Sequence, residues 1–151
     1  MPGFPGGTWQ ITLPPLAAGT HSLVAKQVGA DGKEQAASAP LDLTGRLSIL
    51  ESAAVLKRCA ALVTNDSAPL HLAESVGTPV VAFFGPTVRE FGYFPRLPRS
   101  RALEVSLRCR PCSRNGARRC PYGTKECLAA IPPERAMEEL APLLDEREVR
   151  A

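Results

Sequence analysis

From Ser48 onward the chain alternates between helical and strand patterns, and this alternation constrains the fold more than any other feature. A helical pattern of apolar residues follows Ser48, and a short apolar run then covers 61–64. A second helical stretch covers 68–76, and 78–84 is apolar on both faces, as a buried strand requires. Strands that alternate with helices form parallel sheets, so the sequence predicts an α/β domain with a parallel sheet and covering helices.

Local signals place the ends of these helices. Ser48 and Glu51 have capping-box spacing, Pro69 suits a first helical turn, and Gly77 suits a helix end. The apolar stripe expected on the first helix comprises Ile49, Leu50, Ala53, Leu56 and Ala60. A last helix is expected from Pro132 and Pro133, where Pro142 should kink or divide it. Its expected stripe comprises Ala136, Met137, Leu140 and Leu144.

The first part of the chain carries a different pattern. Trp9, Ile11 and Leu13 alternate with polar residues, and the runs at 20–28 and 35–43 supply two further strand candidates. We therefore predict a β-rich extension over 1–42 and the α/β domain over 43–151.

The composition gives only broad limits on function. A net charge of +3 selects no class of partner, and the start of the chain has no basic segment followed by an apolar stretch. The longest apolar run, 79–84, is too short to span a bilayer. We expect a soluble, cytoplasmic chain.

The turn after the first predicted strand carries candidate binding chemistry. The N–H groups at a helix start can hold a phosphate, and Ser67 adds a hydroxyl beside them. His71 follows on the first helical turn and can reach the same space. Asp66 would repel a bare phosphate and is better suited to accept from a ribose or sugar hydroxyl. The same Asp-Ser pair is also an ordinary N-cap, so a purely structural role stays open.

Three motifs in order extend this interpretation. Asp42-Leu43-Thr44-Gly45-Arg46-Leu47 comes first, then Thr64-Asn65-Asp66-Ser67-Ala68-Pro69-Leu70-His71-Leu72-Ala73, then Gly77-Thr78-Pro79-Val80-Val81-Ala82-Phe83-Phe84-Gly85-Pro86-Thr87. Together they resemble the C-terminal domain of family nine glycosyltransferases, which include the heptosyltransferases, over about residues 42–145. The resemblance implies a Rossmann-like half of a GT-B fold, the two-domain architecture in which the active site lies between the domains.

The resemblance also implies a donor-binding set. Asp66, Ser67 and the Ala68 backbone would contact the nucleotide-sugar donor, and His71 would approach its diphosphate. Leu47 would touch the base, while Gly85 and Thr87 follow the next strand, where α/β ligand sites tend to lie. Ala68 stands where the commoner family pattern has glycine, which puts the donor's identity in doubt.

The same resemblance implies a reaction. The family transfers a sugar with inversion, here most simply heptose from ADP-heptose to a lipopolysaccharide precursor, and needs no cofactor for this chemistry. The general base would lie in an N-terminal domain that this chain lacks, so we assign no catalytic residue. We expect a fragment, fusion or degenerate copy that binds donor at most, located in the cytoplasm or at the inner face of the inner membrane.

A second resemblance concerns residues 8–43. The phrases Gly19-Thr20-His21-Ser22-Leu23 and Ala37-Ser38-Ala39-Pro40-Leu41 resemble the closing strands of bacterial immunoglobulin-like repeats. A complete domain of that type needs about seven strands, whereas about three are available. The alternative is a local three-stranded meander.

The last distinctive feature is a group of cysteines, Cys109, Cys112, Cys120 and Cys127. A Cys-x2-Cys pair often begins a tetrahedral zinc site, but the second pair is loosely spaced. Structural zinc, reduced thiols and disulfides therefore all stay open for this group. Cys59, at a helix end, is expected in the core.

The cysteines lie in a basic segment, with ten Arg or Lys residues between Arg89 and Lys125 against Glu90 and Glu104. This segment could attract the anionic acceptor or the donor diphosphate, or be an ordinary solvated basic face. The rival hypothesis is a non-catalytic, zinc-stabilised module that binds nucleic acid or another polyanion. The motif from Asp66 to His71 favours the glycosyltransferase over the nucleic-acid partner.

Overall fold

Of the chain's 151 residues, the computed structural model describes 8–10, 26–28, 42–116 and 119–145. The chain divides into two compact units, Met1–Arg46 and Leu47–Ala151. In the first unit, β1 (Thr8–Gln10) pairs antiparallel with β2 (Lys26–Val28). Both strands fall within the predicted β-rich segment. The phrases that resemble immunoglobulin-like strands, and most of the third predicted strand, lie outside the described residues.

The second unit has the predicted alternation of helices and strands. Its strands are β3 (Leu62–Asn65), β4 (Val80–Phe83) and β5 (Arg101–Leu103), joined into one parallel sheet in the order β3-β4-β5. Its helices are α1 (Ile49–Arg58), α2 (Ala68–Ser75), the short α3 (Glu126–Ala129) and α4 (Pro133–Asp145). This arrangement confirms the predicted α/β class. No helix in the described ranges is long and apolar enough to cross a membrane.

The central strand β4 is buried on both faces because a different apolar cluster covers each one. On one face, Val80 and Ala82 pack with Leu70 of α2 and with Phe84 and Phe94. On the other face, Val81 packs with a second cluster that includes Leu103 of β5 and, on and before α4, Ile131, Ala136 and Leu143. The alternation follows from the two-residue period of a strand. The double burial explains the continuous apolar run in the sequence.

The helix ends form as the local signals predict. The Ser48 hydroxyl accepts from the Glu51 N–H at 3.4 Å, and the Glu51 carboxylate accepts from the Ser48 N–H at 2.8 Å, which completes the capping box. Pro69 lies in the first turn of α2. Gly77 follows α2 with a φ of 82°, a conformation that glycine adopts without steric cost.

Several packing predictions were wrong in detail. Ile49 and Leu50 are 72% and 79% exposed, and it is Leu56, further along α1, that packs against the core. On α4, Leu143 is buried where the predicted stripe named Leu144. The helix is not divided at Pro142, and the kink expected there stays a prediction. Cys59 is exposed, and its thiol donates to the Val55 carbonyl within α1.

Candidate functional site

The carboxyl ends of β3 and β4 lie side by side. Asn65, the last residue of β3, stands opposite Phe83, the last residue of β4, and the Asp66 N–H donates to the Phe83 carbonyl at 3.0 Å. Asp66 and the loop 85–87 therefore leave the sheet at the same edge. Open α/β sheets bind ligands at this edge, outside the carboxyl ends of their strands.

Two of the predicted site residues meet directly. The Thr87 hydroxyl Oγ1 donates to Oδ2 of Asp66 at 2.7 Å, across 21 positions of sequence. Thr87 is only 1% exposed, whereas Asp66 is half-buried. A fully buried hydroxyl with a carboxylate partner is well satisfied, and this bond orients the Asp66 carboxylate. Thr87 thus holds Asp66 and is itself closed to solvent, while its contact with the donor stays a prediction.

The next predicted residues form the start of α2. Ser67 is extended, with its hydroxyl donating to the Asn65 carbonyl at 3.1 Å and lying 3.2 Å from the Thr64 hydroxyl. Its side chain makes no cap hydrogen bond to α2, so the simple N-cap interpretation does not describe it. Ala68 and His71 are exposed on the first turn of the helix. Ser67, Ala68 and His71 therefore follow Asp66 directly in the chain, on the exposed start of the helix.

The remaining predicted residues have other surroundings. Gly85 is buried, and a Cβ atom added there would lie 3.0 Å from Cγ of Leu128 and 3.3 Å from Sγ of Cys127. A side chain at this position would therefore crowd the segment that carries Leu128. Leu47 is half-buried immediately before the N-cap of α1, the helix that packs against α2.

The four predicted cysteines come together around one cavity. Cys109, Cys112, Cys120 and Cys127 all line a volume of about 410 Å³, and Arg110 lines the same space. All four are free thiols. In the described ranges, no three side chains of His, Cys, Asp or Glu are placed so that they could hold a metal ion. In their present positions the four thiols do not form a zinc site. Structural zinc therefore stays a prediction.

Two of these thiols have opposite environments. The backbone N–H groups of Lys125 and Tyr122 donate hydrogen bonds to the Cys120 sulfur and lower the pKa of that thiol. Burial, followed by the negative charges of Cys112 and Cys120, raises the pKa of the Cys127 thiol. Because the thiolate is the reactive form, Cys120 is the more nucleophilic of the two at neutral pH.

Alkylation should therefore distinguish Cys120 from Cys127. With iodoacetamide in excess and a chelator present, we expect Cys120 to react faster than Cys127 at neutral pH. The rate at Cys120 should also rise with pH about a lower midpoint than the rate at Cys127. A lowered pKa keeps the thiolate present as the pH falls, whereas a raised pKa removes it first. Mass spectrometry of timed digests measures both sites in one sample, so each serves as the control for the other. Equal rates across the pH range would contradict the assignment.

Several charges of the basic segment are engaged within the fold. Arg110 pairs with Glu104 at 2.9 Å, and Arg101 pairs with Glu139 at 3.2 Å. The Arg89 guanidinium lies 4.5 Å from the centre of the Phe94 ring. Sequence reasoning missed the particular role of Arg110, because nothing in its local pattern separates it from the other arginines.

Comparison with protein families gives a match over most of the chain. The model of glycosyltransferase family 9 (heptosyltransferase) matches residues 7–124, most of the chain. This range includes the loop 85–87 and the motif from Asp66 to His71. It also takes in most of the β-rich segment, whose resemblance to an immunoglobulin-like repeat stays a prediction.

Individual proteins give a consistent result. Lipooligosaccharide heptosyltransferase 2 of Haemophilus influenzae is 33% identical over 109 residues, which are 69% of this chain and 29% of that protein. Lipopolysaccharide heptosyltransferase 2 of Salmonella typhimurium is 29% identical over 108 residues, 72% of this chain and 30% of that protein. The chain thus spans less than a third of the length of these relatives. No solved structure gives a significant match.

Proposed function

The chain belongs to glycosyltransferase family 9, the heptosyltransferase family, and from this premise we propose that it carries the donor-binding half-site of such an enzyme. The observation that supports this most directly is the Asp66 carboxylate, oriented by the buried Thr87 hydroxyl at the carboxyl edge of the sheet. The exposed first turn of α2 lies immediately beside it. A carboxylate next to a helix start suits a ligand that has hydroxyl groups and phosphates close together.

Asp66 is the proposed acceptor for a hydroxyl of the donor. Thr87 occupies its Oδ2 atom, so Oδ1 is the oxygen assigned to the ligand. A negative carboxylate repels a phosphate but accepts strongly from a ribose or sugar hydroxyl. The half-buried position strengthens that bond, because less water competes for the oxygen.

The start of α2 is the proposed contact for the diphosphate. Its first-turn N–H groups and the positive end of the helix dipole favour an anion. Pro69 contributes no N–H, and the Leu70 N–H donates to the Ser67 carbonyl at 3.1 Å, so the Ala68 N–H is the main backbone donor assigned to this role. The Ser67 hydroxyl and the exposed His71 imidazole add side-chain donors. Gly85 is assigned instead to packing, and Leu47 keeps its proposed contact with the base.

The parent reaction is proposed to be transfer of heptose from ADP-heptose to a lipopolysaccharide precursor, with inversion at the sugar carbon. Inverting transfer needs a general base that activates the acceptor hydroxyl, and stabilisation of the departing diphosphate. The proposed α2 contacts serve the second need. The base and the acceptor site are assigned to the parts of the full-length relatives that this chain does not match. We therefore expect donor binding without turnover from this chain by itself.

Calorimetric titration with ADP-heptose tests this proposal. We expect saturable binding, weakened by Asp66→Ala and by His71→Ala by about tenfold to a hundredfold each, since a hydrogen bond to a charged group contributes about 1.5–3 kcal/mol. Ser75→Ala is the matched control, because Ser75 lies at the opposite end of the same helix and bonds only within it, to the Leu72 carbonyl.

Circular dichroism should first establish that each variant is folded. Absence of ADP-heptose binding by the folded parent chain would sink the proposal, and so would an equal loss of affinity in the control. Steeply salt-dependent binding of RNA, unchanged by His71→Ala, would favour the polyanion-binding alternative.

A further inference from the structure

Arg110 is buried in the second unit, and its guanidinium joins three segments. Only 6% of its side chain is exposed. Its Nη2 atom donates to the Thr87 carbonyl at 2.8 Å and to Oε2 of Glu104 at 2.9 Å, and its Nη1 atom donates to the Val105 carbonyl. A buried positive charge is tolerated only where hydrogen bonds and a negative partner compensate it. The Thr87 carbonyl is one of the three acceptors that compensate this buried charge.

The loop after β4 is held from the cysteine-rich segment at two successive carbonyls. The Cys112 N–H donates to the Pro86 carbonyl at 3.1 Å, and Arg110 donates to the next carbonyl, that of Thr87. Two adjacent fixed peptide groups leave the Thr87 backbone little freedom to rotate. The direction of the Thr87 side chain follows from that backbone.

The direction of the Thr87 side chain determines how the Asp66 carboxylate is oriented. The Thr87 hydroxyl is fully buried and donates to Asp66 at 2.7 Å. A series of hydrogen bonds thus runs from Glu104 through Arg110 and Thr87 to Asp66.

We propose that Arg110 is a positioning residue for donor binding: its guanidinium holds the Thr87 carbonyl so that the Thr87 hydroxyl aims the Asp66 carboxylate at the ligand. This inference rests on the proposed donor-binding function. Arg110 itself touches no ligand and acts only through Thr87. Glu104 keeps the guanidinium in place. Because Glu104 directly follows β5, the end of this strand also contributes to the site.

The first variant to measure is Arg110→Lys. Lysine keeps the positive charge but lacks the planar fork, so it cannot reproduce donation to three acceptors at once. We expect the dissociation constant for ADP-heptose, measured by calorimetry, to rise about tenfold. Glu104→Gln retains an acceptor oxygen but removes the negative partner of the buried guanidinium, so it should weaken binding in the same direction as Arg110→Lys. Arg101→Gln is the matched control. Arg101 is the first residue of β5, at the other end of that strand from Glu104, and its ion pair with Glu139 is exposed, so its loss should leave affinity unchanged.

A double-mutant cycle separates positioning from general stability. If Arg110 acts through Thr87, the double variant Arg110→Lys with Thr87→Val should lose no more affinity for ADP-heptose than the single variant Thr87→Val. Thr87→Ser keeps the hydroxyl and should bind nearly as the parent chain does. If the two losses instead multiply in the double variant, Arg110 does not act through Thr87 and the inference is overturned.

The outcomes also distinguish this inference from the proposed function. If the parent chain does not bind ADP-heptose, the proposed function fails first. If the parent binds, Asp66→Ala does not, and folded Arg110→Lys binds like the parent, then only the positioning role is overturned. If Arg110→Lys does not fold, comparison of Thr87→Val with Thr87→Ser decides. Equal affinities of the two variants for ADP-heptose would overturn the inference. A loss of affinity in Thr87→Val but not in Thr87→Ser would support it.

Discussion

Replacing Phe84 by alanine is expected to lower the free energy of unfolding by about 3–5 kcal/mol, the range for truncating a buried phenylalanine. Phe84 is fully buried at the end of β4, and its ring stacks on that of Phe94 with centroids 3.8 Å apart. Alanine would remove the stack and leave a cavity between the sheet and α2. Because whole domains are stable by only about 5–15 kcal/mol, this single change takes a large share of the total.

Urea unfolding followed by far-ultraviolet circular dichroism measures this loss, since the free energy falls linearly with denaturant. Trp9 fluorescence is the wrong probe, because Trp9 belongs to the unit Met1–Arg46. Tyr122→Ala is the control: it also truncates an aromatic side chain, but one that is 70% exposed, and it should change stability by less than about 0.5 kcal/mol. A loss below about 1 kcal/mol in Phe84→Ala would mean that this core is not tightly packed.

The sheet could be predicted because its signals are local. Successive residues of β4 enter different clusters, so the run at 79–84 had to be apolar, and that pattern is visible in the sequence. The capping box of α1 and Gly77 after α2 are likewise short-range features. Each involves residues within a few positions of one another, which is the range that sequence patterns report.

The prediction of which helix residues are buried failed where contacts between distant segments decide it. Helical periodicity permits either Leu143 or Leu144 on the inner face of α4, and packing against the cluster that contains Val81 and Leu103 selects Leu143. The exposure of Ile49 and Leu50 has the same cause, because the contact of α1 with its neighbours begins further along the helix. Periodicity gives the width of an apolar stripe but not its rotation against the sheet.

The candidate site divides in the same way. The turn from Asp66 to His71 is contiguous, and sequence reasoning could identify it. The bond from Thr87 to Asp66 spans 21 positions, and the contribution of Arg110 arrives through a third segment. No local pattern predicts which hydroxyl orients which carboxylate, so only the fold could assign Thr87 a supporting role.

Gly85→Val is the second change from which we expect a large effect, this time on stability and donor binding together. The first added atom, Cβ, would lie 3.0 Å from Cγ of Leu128 and 3.3 Å from Sγ of Cys127, and two further methyl groups would follow it. Overpacking of this kind costs about 1–3 kcal/mol of folding free energy. Leu128 and Cys127 would have to move away from the loop, which is the loop that carries Thr87.

Donor affinity should fall with stability, because displacement of the loop changes the direction from which Thr87 reaches Asp66. We expect a loss of about tenfold in ADP-heptose affinity, equivalent to about 1.4 kcal/mol. Calorimetry and urea unfolding on the same preparation measure both quantities. Gly85→Ala should lose less stability and less affinity than Gly85→Val, because the Leu128 side chain that the alanine meets can rotate.

The double variant Gly85→Val with Leu128→Ala tests the cause. Truncating Leu128 removes the atoms closest to the added side chain, so part of the lost stability and affinity should return if crowding is responsible. Leu128→Ala by itself supplies the baseline for its own cavity. If the double variant is no better than Gly85→Val, the valine acts on the backbone of the loop and not through the contact with α3. Recovery of affinity along with stability would instead tie the donor site to the packing of the cysteine-rich segment, because the same contact would then control both.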